Sequence, residues 1–363
     1  MERINNTNVV RLGKTEIVVN KCGFGALPIQ RVSEKDAIIL LRKAYDGGID
    51  LFDTARFYTD SEEKIGKAFK GMRDKVVIAS KTMAKNADSF DKDLETSLTN
   101  LQTDYIDLYQ FHNPAFCPVP GDDSGLYDAM ARALQKGHIR HIGISSHQLK
   151  VAHEAIDSGL YKTLQFPFCY LSGEKELELV NKCKDADMGF IAMKALSGGL
   201  ITNSYAASAF LSQYDNVLPI WGIQRENELD EFLGYIKNPP SVNEKIMNFI
   251  RQERIELQGD FCRGCGYCLP CPAEIEINNC ARMSLLLRRS PAELQLTKEV
   301  QDKMHKIENC THCDRCKKRC PYGLDTPTLL QKNYADYINV LEGKISLSLH
   351  PKLTTKAIER RGF

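Results

Sequence analysis

Over most of its first 240 residues the chain repeats one pattern about eight times: a short β-branched or apolar run, a polar turn, then an amphipathic helical stretch. The runs predict strands at residues 21–24, 49–53, 75–81, 105–112, 139–145, 163–166, 189–196 and 217–222. Helical patterns such as SEKDAIILLRKAYDGG, SEEKIGKAFK and SFDKDLETSLTNLQ lie between them, with Ser33, Ser61 and Ser89 as expected N-caps. Strands alternating with helices build a parallel sheet, since a parallel return needs a long crossover. Eight such units with continuous apolar strands suit a closed (β/α)8 TIM barrel, an α/β fold whose functional groups collect at the C-terminal ends of the strands. An open doubly wound sheet is the alternative, but GFGALP after the first run lacks the spacing of a dinucleotide-binding turn. Ahead of the first strand, VVRLGKTEIVVN reads as two extended pieces around Gly13, a hairpin closing the bottom of the barrel.

A chain of 363 residues accommodates one such domain and a smaller one, and a core of that size needs no metal for stability. The formal net charge of +1 argues against a nucleic-acid partner, which would call for concentrated positive charge. The opening MERINNTNVVRLGK has no signal-peptide core, and no apolar run reaches membrane-spanning length. The expectation is a cytoplasmic enzyme without a membrane segment.

Cysteine placement divides the chain. Cys22, Cys117, Cys169 and Cys183 are scattered, whereas nine of the 13 cysteines lie between Cys262 and Cys320. FCRGCGYCLPCP supplies Cys262, Cys265, Cys268 and Cys271; ENCTHCDRCKKRCP supplies Cys310, Cys313, Cys316 and Cys320. Groups this dense do not suit a disulfide framework in a reducing compartment and read as metal ligands. Their spacing favours iron and sulfur over a four-cysteine zinc site, which usually uses two separated pairs. Cys280 fits neither group and is expected to be packed. The predicted organisation is a barrel over 1–240, a connecting helix over 241–257, a cysteine-rich, α-helical domain over 258–330 and a polar tail over 331–363.

Chemistry should sit at the strand ends. LFDTARFY places Asp53 at one tip and Tyr58 in the loop beyond; IASKT ends in the Lys81 tip, and LYQFH in His112. A tyrosine is a poor acid at neutral pH, but a neighbouring ammonium stabilises the phenolate and brings proton donation into range. Lys81 would supply that charge, Asp53 would hold the lysine, and His112 would donate to a substrate oxygen as negative charge develops. Each residue alone is weak evidence, since a lone buried histidine or an aspartate after a strand is more often structural; together they describe carbonyl reduction. Phe111, Phe116, Phe166, Phe168 and Tyr170 offer an apolar wall, or simple barrel packing.

Residues 7–237, through RLGKTEIVV, FDTARFY, DLYQFHNP, GHIRHIGISS and IAMKALSGG, resemble the aldo-keto reductase family. The resemblance implies that the family's tetrad falls on Asp53, Tyr58, Lys81 and His112, and that a nicotinamide cofactor lies across the barrel mouth. Ser145, Ser146 and Gln165 would hold its carboxamide, and the turn carrying Leu196, Gly198 and Gly199 would meet the pyrophosphate. Ser146 departs from the family's common asparagine. Gly222 and Glu228 stand where many members carry a lysine and an arginine for the 2′-phosphate, with Arg225 nearby, so NAD(H) is favoured over NADP(H). The implied substrate is a small aldehyde or ketone, or the alcohol in reverse.

Residues 258–330 resemble a bacterial two-cluster ferredoxin interrupted by a helical insertion. That resemblance implies two 4Fe-4S clusters with crossed ligation, one on Cys262, Cys265, Cys268 and Cys320, the other on Cys310, Cys313, Cys316 and Cys271. Cys271, reached through Pro270 at a spacing of two, departs from the usual pattern. Arg315, Lys317, Lys318 and Arg319 around the second group suit an acidic electron partner, a ferredoxin or flavoprotein. The alternative to an enzyme is an electron-transfer or redox-sensing protein whose barrel has little turnover.

Overall fold

The computed structural model describes residues 8–257, 261–289, 292–345 and 347. These divide into two compact units. The first runs to Ala195 and resumes over Tyr205–Ile246; the second comprises Leu196–Ser204 and the described residues from Met247 onward.

In the first unit, β1 (Val9–Arg11) and β2 (Val18–Asn20) form an antiparallel hairpin with Val10 opposite Val19. Gly13 turns the chain at φ +52°, and its backbone bridges to Met188; a Cβ there would stand 2.4 Å from the Asp187 carbonyl oxygen. Only glycine fits that approach. Eight parallel strands follow: β3 (Gly23–Gly25), β4 (Leu51–Asp53), β5 (Val77–Thr82), β6 (Ile106–His112), β7 (Ile139–Ser145), β8 (Thr163–Pro167), β9 (Gly189–Met193) and β10 (Val217–Gly222). They close in the order β10-β3-β4-β5-β6-β7-β8-β9, a TIM barrel. Val10, Leu12 and Val19 of the hairpin pack into one cluster with Leu51, Ala79, Leu108, Ile191 and Leu218 of the strands. The hairpin therefore plugs the end from which the strands start.

That layer fixes what stands above it. Side chains two apart on a strand share a face, so Leu51 leads to Asp53, Ala79 to Lys81, and Leu108 to Gln110 and His112. The inner face is apolar at the base and polar at the top. Gly143 makes room for this upper layer, since a Cβ would meet Thr163 Oγ1 at 2.4 Å and Gln110 Cγ at 2.9 Å.

Helices α1 (Glu34–Asp46), α2 (Ser61–Ala68), α3 (Ala87–Leu101), α4 (Leu126–Gln135), α5 (Leu149–Ser158), α6 (Glu174–Asp185), α7 (Ser204–Ser212) and α8 (Glu226–Lys237) follow the strands. Ser33 caps α1 as its position predicts, accepting from the Asp36 N–H. Ser61 does not cap α2: Asp60 stands at the cap, while the Ser61 hydroxyl is buried and donates to the Ala26 carbonyl. Ser89 lies three residues inside α3, where the Asn86 side chain accepts from its N–H and completes a capping box.

α9 (Glu244–Glu256) carries the chain into the C-terminal extension, which is α-helical: α10 (Ile277–Cys280), α11 (Met283–Arg289), α12 (Ala292–Gln295), α13 (Lys298–His305), α14 (Arg315–Arg319) and α15 (Thr326–Leu341). Its core gathers Ile275, Ile277, Met283, Leu287, Met304 and Tyr337 with Cys280, which is packed. Asn333 ties α15 to the start of α11, accepting from Ser284 N at 2.8 Å and donating to Ala281 O at 3.2 Å. Arg288 adds a two-pronged pair with Asp336 at 2.6 and 2.8 Å. The predicted polar tail falls, beyond α15, largely outside the described residues.

One expectation is corrected here. Among the described residues, no three His, Cys, Asp or Glu side chains come together in a group able to hold a metal ion. Cys262, Cys268 and Cys316 are buried, Cys265, Cys271, Cys310 and Cys320 are partly buried, and Cys313 is exposed. Two-residue spacing brings cysteines close along the chain, but among the described residues it does not gather three of them into a metal-holding group. The two 4Fe-4S clusters are therefore not supported, and neither is a ferredoxin-like iron-sulfur domain: the region is a helical extension.

Candidate active site at the upper rim of the barrel

Three neighbouring strands deliver the central group. Asp53 ends β4 and Lys81 stands one residue from the end of β5, both almost wholly buried. The Lys81 ammonium donates to Asp53 Oδ1 and Oδ2 and to the Thr54 carbonyl, all at 2.7 Å. An ammonium has three protons, so every one has an acceptor. Burial pulls both groups towards neutrality, raising Asp53 and lowering Lys81, while the charge of each opposes the shift of the other.

Tyr58 and His112 complete the group. Lys81 Nζ lies 5.5 Å from the centre of the Tyr58 ring, and the Tyr58 and His112 rings meet edge to face at 5.7 Å. His112 ends β6, and its Nδ1 is buried without a hydrogen-bond partner among the described residues. Burial, aided by the Lys81 charge, pushes its pKa down to about 3, so the imidazole is neutral at physiological pH. The four residues that the sequence singled out thus stand together.

A polar link across the barrel escaped the sequence reading. Gln110 Nε2 donates to Gln165 Oε1 at 2.9 Å, and Gln165 Nε2 donates to Asp53 Oδ2 at 3.4 Å. The period of two on β6, with His112 already inward, was the signal available for Gln110. Glu62 was also missed. It is fully buried, accepts from the Ser80 hydroxyl at 2.6 Å, and lies 3.6 Å from Arg56. In sequence it is one acid among several at a helix start.

The other predicted positions are more dispersed. Ser145 accepts from Asn113 N at 3.2 Å, and the Ser146 hydroxyl closes a tight turn with Gln148. Gly222 is exposed at the end of β10. Glu228 Oε2 accepts from the N–H groups of Gln224 and Arg225, both at 3.0 Å, so this carboxylate caps α8. Leu196, Gly198 and Gly199 belong to the second unit, where Gly198 and Gly199 take φ +64° and +91°.

Comparison with known proteins bears on both units. The Aldo/keto reductase family model matches residues 21–210, and a model described as a 4Fe-4S dicluster domain matches residues 261–325. The second match is a likeness in sequence, and the metal-holding group it would call for is not formed among the described residues. Aldo-keto reductase YhdN of Bacillus subtilis is 33% identical over 210 residues, covering 53% of this chain and 62% of that protein. L-galactose dehydrogenase of Arabidopsis thaliana is 30% identical over 211 residues, covering 53% and 66%. The chain thus spans less than two thirds of the length of either relative. Among solved structures, an aldo-keto reductase of Bacillus halodurans in its holo form superposes with a TM-score of 0.61 at 20% identity, covering 68% of this chain and 96% of that one. An aldo-keto reductase of Klebsiella pneumoniae in complex with NADPH gives 0.59 at 22%, covering 69% and 96%. At such identities the structural likeness speaks for the fold alone. No described helix is long and apolar enough to cross a membrane. With a closed parallel barrel, a lysine, aspartate, tyrosine and histidine gathered on its rim, and a family model spanning residues 21–210, the chain belongs to the aldo/keto reductase family.

Proposed function

We propose that this protein reduces a small aldehyde or ketone to the alcohol, or runs the reverse, with NADH or NADPH. The observation that carries the reading is the Lys81 ammonium, fixed by both Asp53 oxygens at 2.7 Å and standing 5.5 Å from the Tyr58 ring. The bound nicotinamide would supply a hydride to the carbonyl carbon. Tyr58 gives its phenolic proton to the carbonyl oxygen, and the Lys81 charge stabilises the phenolate left behind. Asp53 keeps Lys81 protonated in a buried setting. His112, neutral, directs an N–H towards the oxygen as negative charge builds on it, acting as a donor rather than an acid.

The residues present fit a dinucleotide. Gly222 is exposed at the end of β10, where a Cβ would press on Pro28 Cγ at 3.1 Å, and nothing lies within 4 Å of where a Cβ of Gly199 would stand. Ser145, Ser146, Gln165, Leu196, Gly198, Gly199, Gly222, Arg225 and Glu228 are the proposed cofactor contacts. The test is turnover of a carbonyl panel with either nicotinamide, and then Tyr58→Phe. That variant should lose about 10²- to 10⁴-fold in kcat, the usual worth of a general acid, while cofactor affinity stays within a factor of about two. An undiminished rate would reject the role.

A further inference from the structure

Glu62 lies in the first turn of α2 and is fully buried. Its Oε1 accepts from the Ser80 hydroxyl at 2.6 Å, and its Oε2 accepts from Asn100 Nδ2 at 3.4 Å. Ser80 precedes Lys81 on β5 and faces the opposite side of the strand, so Glu62 stands behind the strand that carries the ammonium. Burial raises its pKa, and those hydrogen bonds, with the Arg56 charge, oppose the shift. Its cation partner, Arg56, lies 3.6 Å away with a side chain 31% exposed. A buried carboxylate with a distant, half-solvated partner is a weak source of stability, and an apolar residue of similar size would pack as well. What the pair does fix is the position of Arg56.

That position matters because the chain beyond β4 goes on following β5. Thr54 N donates to Ala79 O at 2.8 Å, and Arg56 N donates to Lys81 O at 2.9 Å. Tyr58 then turns back, its N–H donating to Ala55 O at 2.9 Å and its carbonyl accepting from Ser61 N at 2.8 Å. At the tip, Phe57 is 68% exposed and Thr59 is exposed, so apolar packing contributes little there. Polar ties hold the loop instead. The Thr54 and Ser61 hydroxyls meet at 2.9 Å, Lys64 pairs with Asp60 at 2.8 Å beyond the tip, and Glu62 draws Arg56 before it. Glu62 thus reaches both Ser80, next to Lys81, and Arg56, two residues before Tyr58. A shift of this carboxylate moves Tyr58 relative to Lys81.

We propose that Glu62 is a positioning residue: by holding Arg56 from behind β5, it keeps the Tyr58 ring 5.5 Å from the Lys81 ammonium. The inference rests on the carbonyl reduction proposed above. The full chain, Glu62→Gln, Arg56→Met and the double variant are compared in carbonyl turnover and in amide hydrogen exchange. Each single variant should lower kcat by about 10- to 100-fold, the range for displacing an acid by up to about an ångström, with the KM of carbonyl and of nicotinamide within about two-fold. The double variant should be slower than the slower single by no more than about two-fold, because both substitutions remove one tie. Unchanged kcat in the singles overturns the proposal, as do losses that multiply in the double variant or a loss carried by KM. The Arg56 and Tyr58 amides should exchange about five-fold faster or more in both singles, while those of β7 keep the wild-type rate. A wild-type chain that turns over no carbonyl rejects the function proposed above; exchange then decides the positioning, and unchanged protection at Arg56 and Tyr58 overturns it. If Glu62→Gln does not fold, Arg56→Met, altered at a half-exposed side chain, decides by the same two readings.

Discussion

Replacing Asp53 by Asn leaves the Lys81 ammonium buried but removes the charge it faces. With nitrogen and oxygens 2.7 Å apart, the attraction is about 6 kcal/mol at an effective dielectric of about 20. Asparagine still offers one acceptor, so the expected loss is about 3–5 kcal/mol, the range for breaking one side of a buried pair. For a unit of this size that lowers the melting temperature by about 6–20 °C. Lys81→Met, which strands the carboxylate, should cost a similar amount. The double variant removes both charges and should cost less than the two losses added, by about 1–3 kcal/mol. Trp221 is the assay: it is the chain's one tryptophan, is 2% exposed on β10 and stacks on Phe232 at 4.5 Å, so its fluorescence follows this unit during denaturation. Losses that add to within about 0.5 kcal/mol would mean that the two groups do not support each other, and the account of the site would fall with them.

The low pKa of His112 predicts a pH signature. Its folded value, about 3, lies below the ordinary 6.5, so the unfolded chain takes up a proton first as the pH falls. The resulting stability is fully present above about pH 6.5 and is lost at about 1.4 kcal/mol per pH unit down towards pH 3. His112→Gln should remove that slope, read as the difference between two denaturation series; identical slopes would contradict a buried neutral imidazole. Gly66→Ala should destabilise the barrel by about 1–3 kcal/mol despite the better helix propensity of alanine, because the added Cβ would meet the Asn100 carbonyl oxygen at 2.4 Å. A rise in melting temperature for that variant would show that α2 and α3 can separate cheaply.

The strands were legible wherever an apolar run ended at a polar residue, and residues 139–145 and 217–222 emerge with the limits read from the sequence. Asp53, Lys81 and His112 were legible for the same reason: a charged or polar group closing an apolar strand is conspicuous. The Gln110 to Gln165 hydrogen bond joins residues 55 apart, and an inward glutamine announces no partner in advance. Ser61 misled because a serine before a helix resembles a cap, whereas tertiary contact claimed its hydroxyl. The cysteine groups misled most. Spacing constrains neighbours along the chain, but metal binding depends on side-chain direction, which the turns between them set. Leu196–Ser204 belongs with the second unit through packing that no local pattern encodes.

The hairpin plug makes the barrel interior a dead end for solvent. Val10, Leu12 and Val19, none more than 1% exposed, offer water no polar foothold at the base. Among the described residues the base is closed by these side chains, so protons on Lys81, Gln110 and Gln165 are expected to trade with bulk water from the rim end. A molecule seated over that end would cork the interior and slow the isotope exchange of all three groups together, so deuterium labelling can report occupancy of the rim without any turnover.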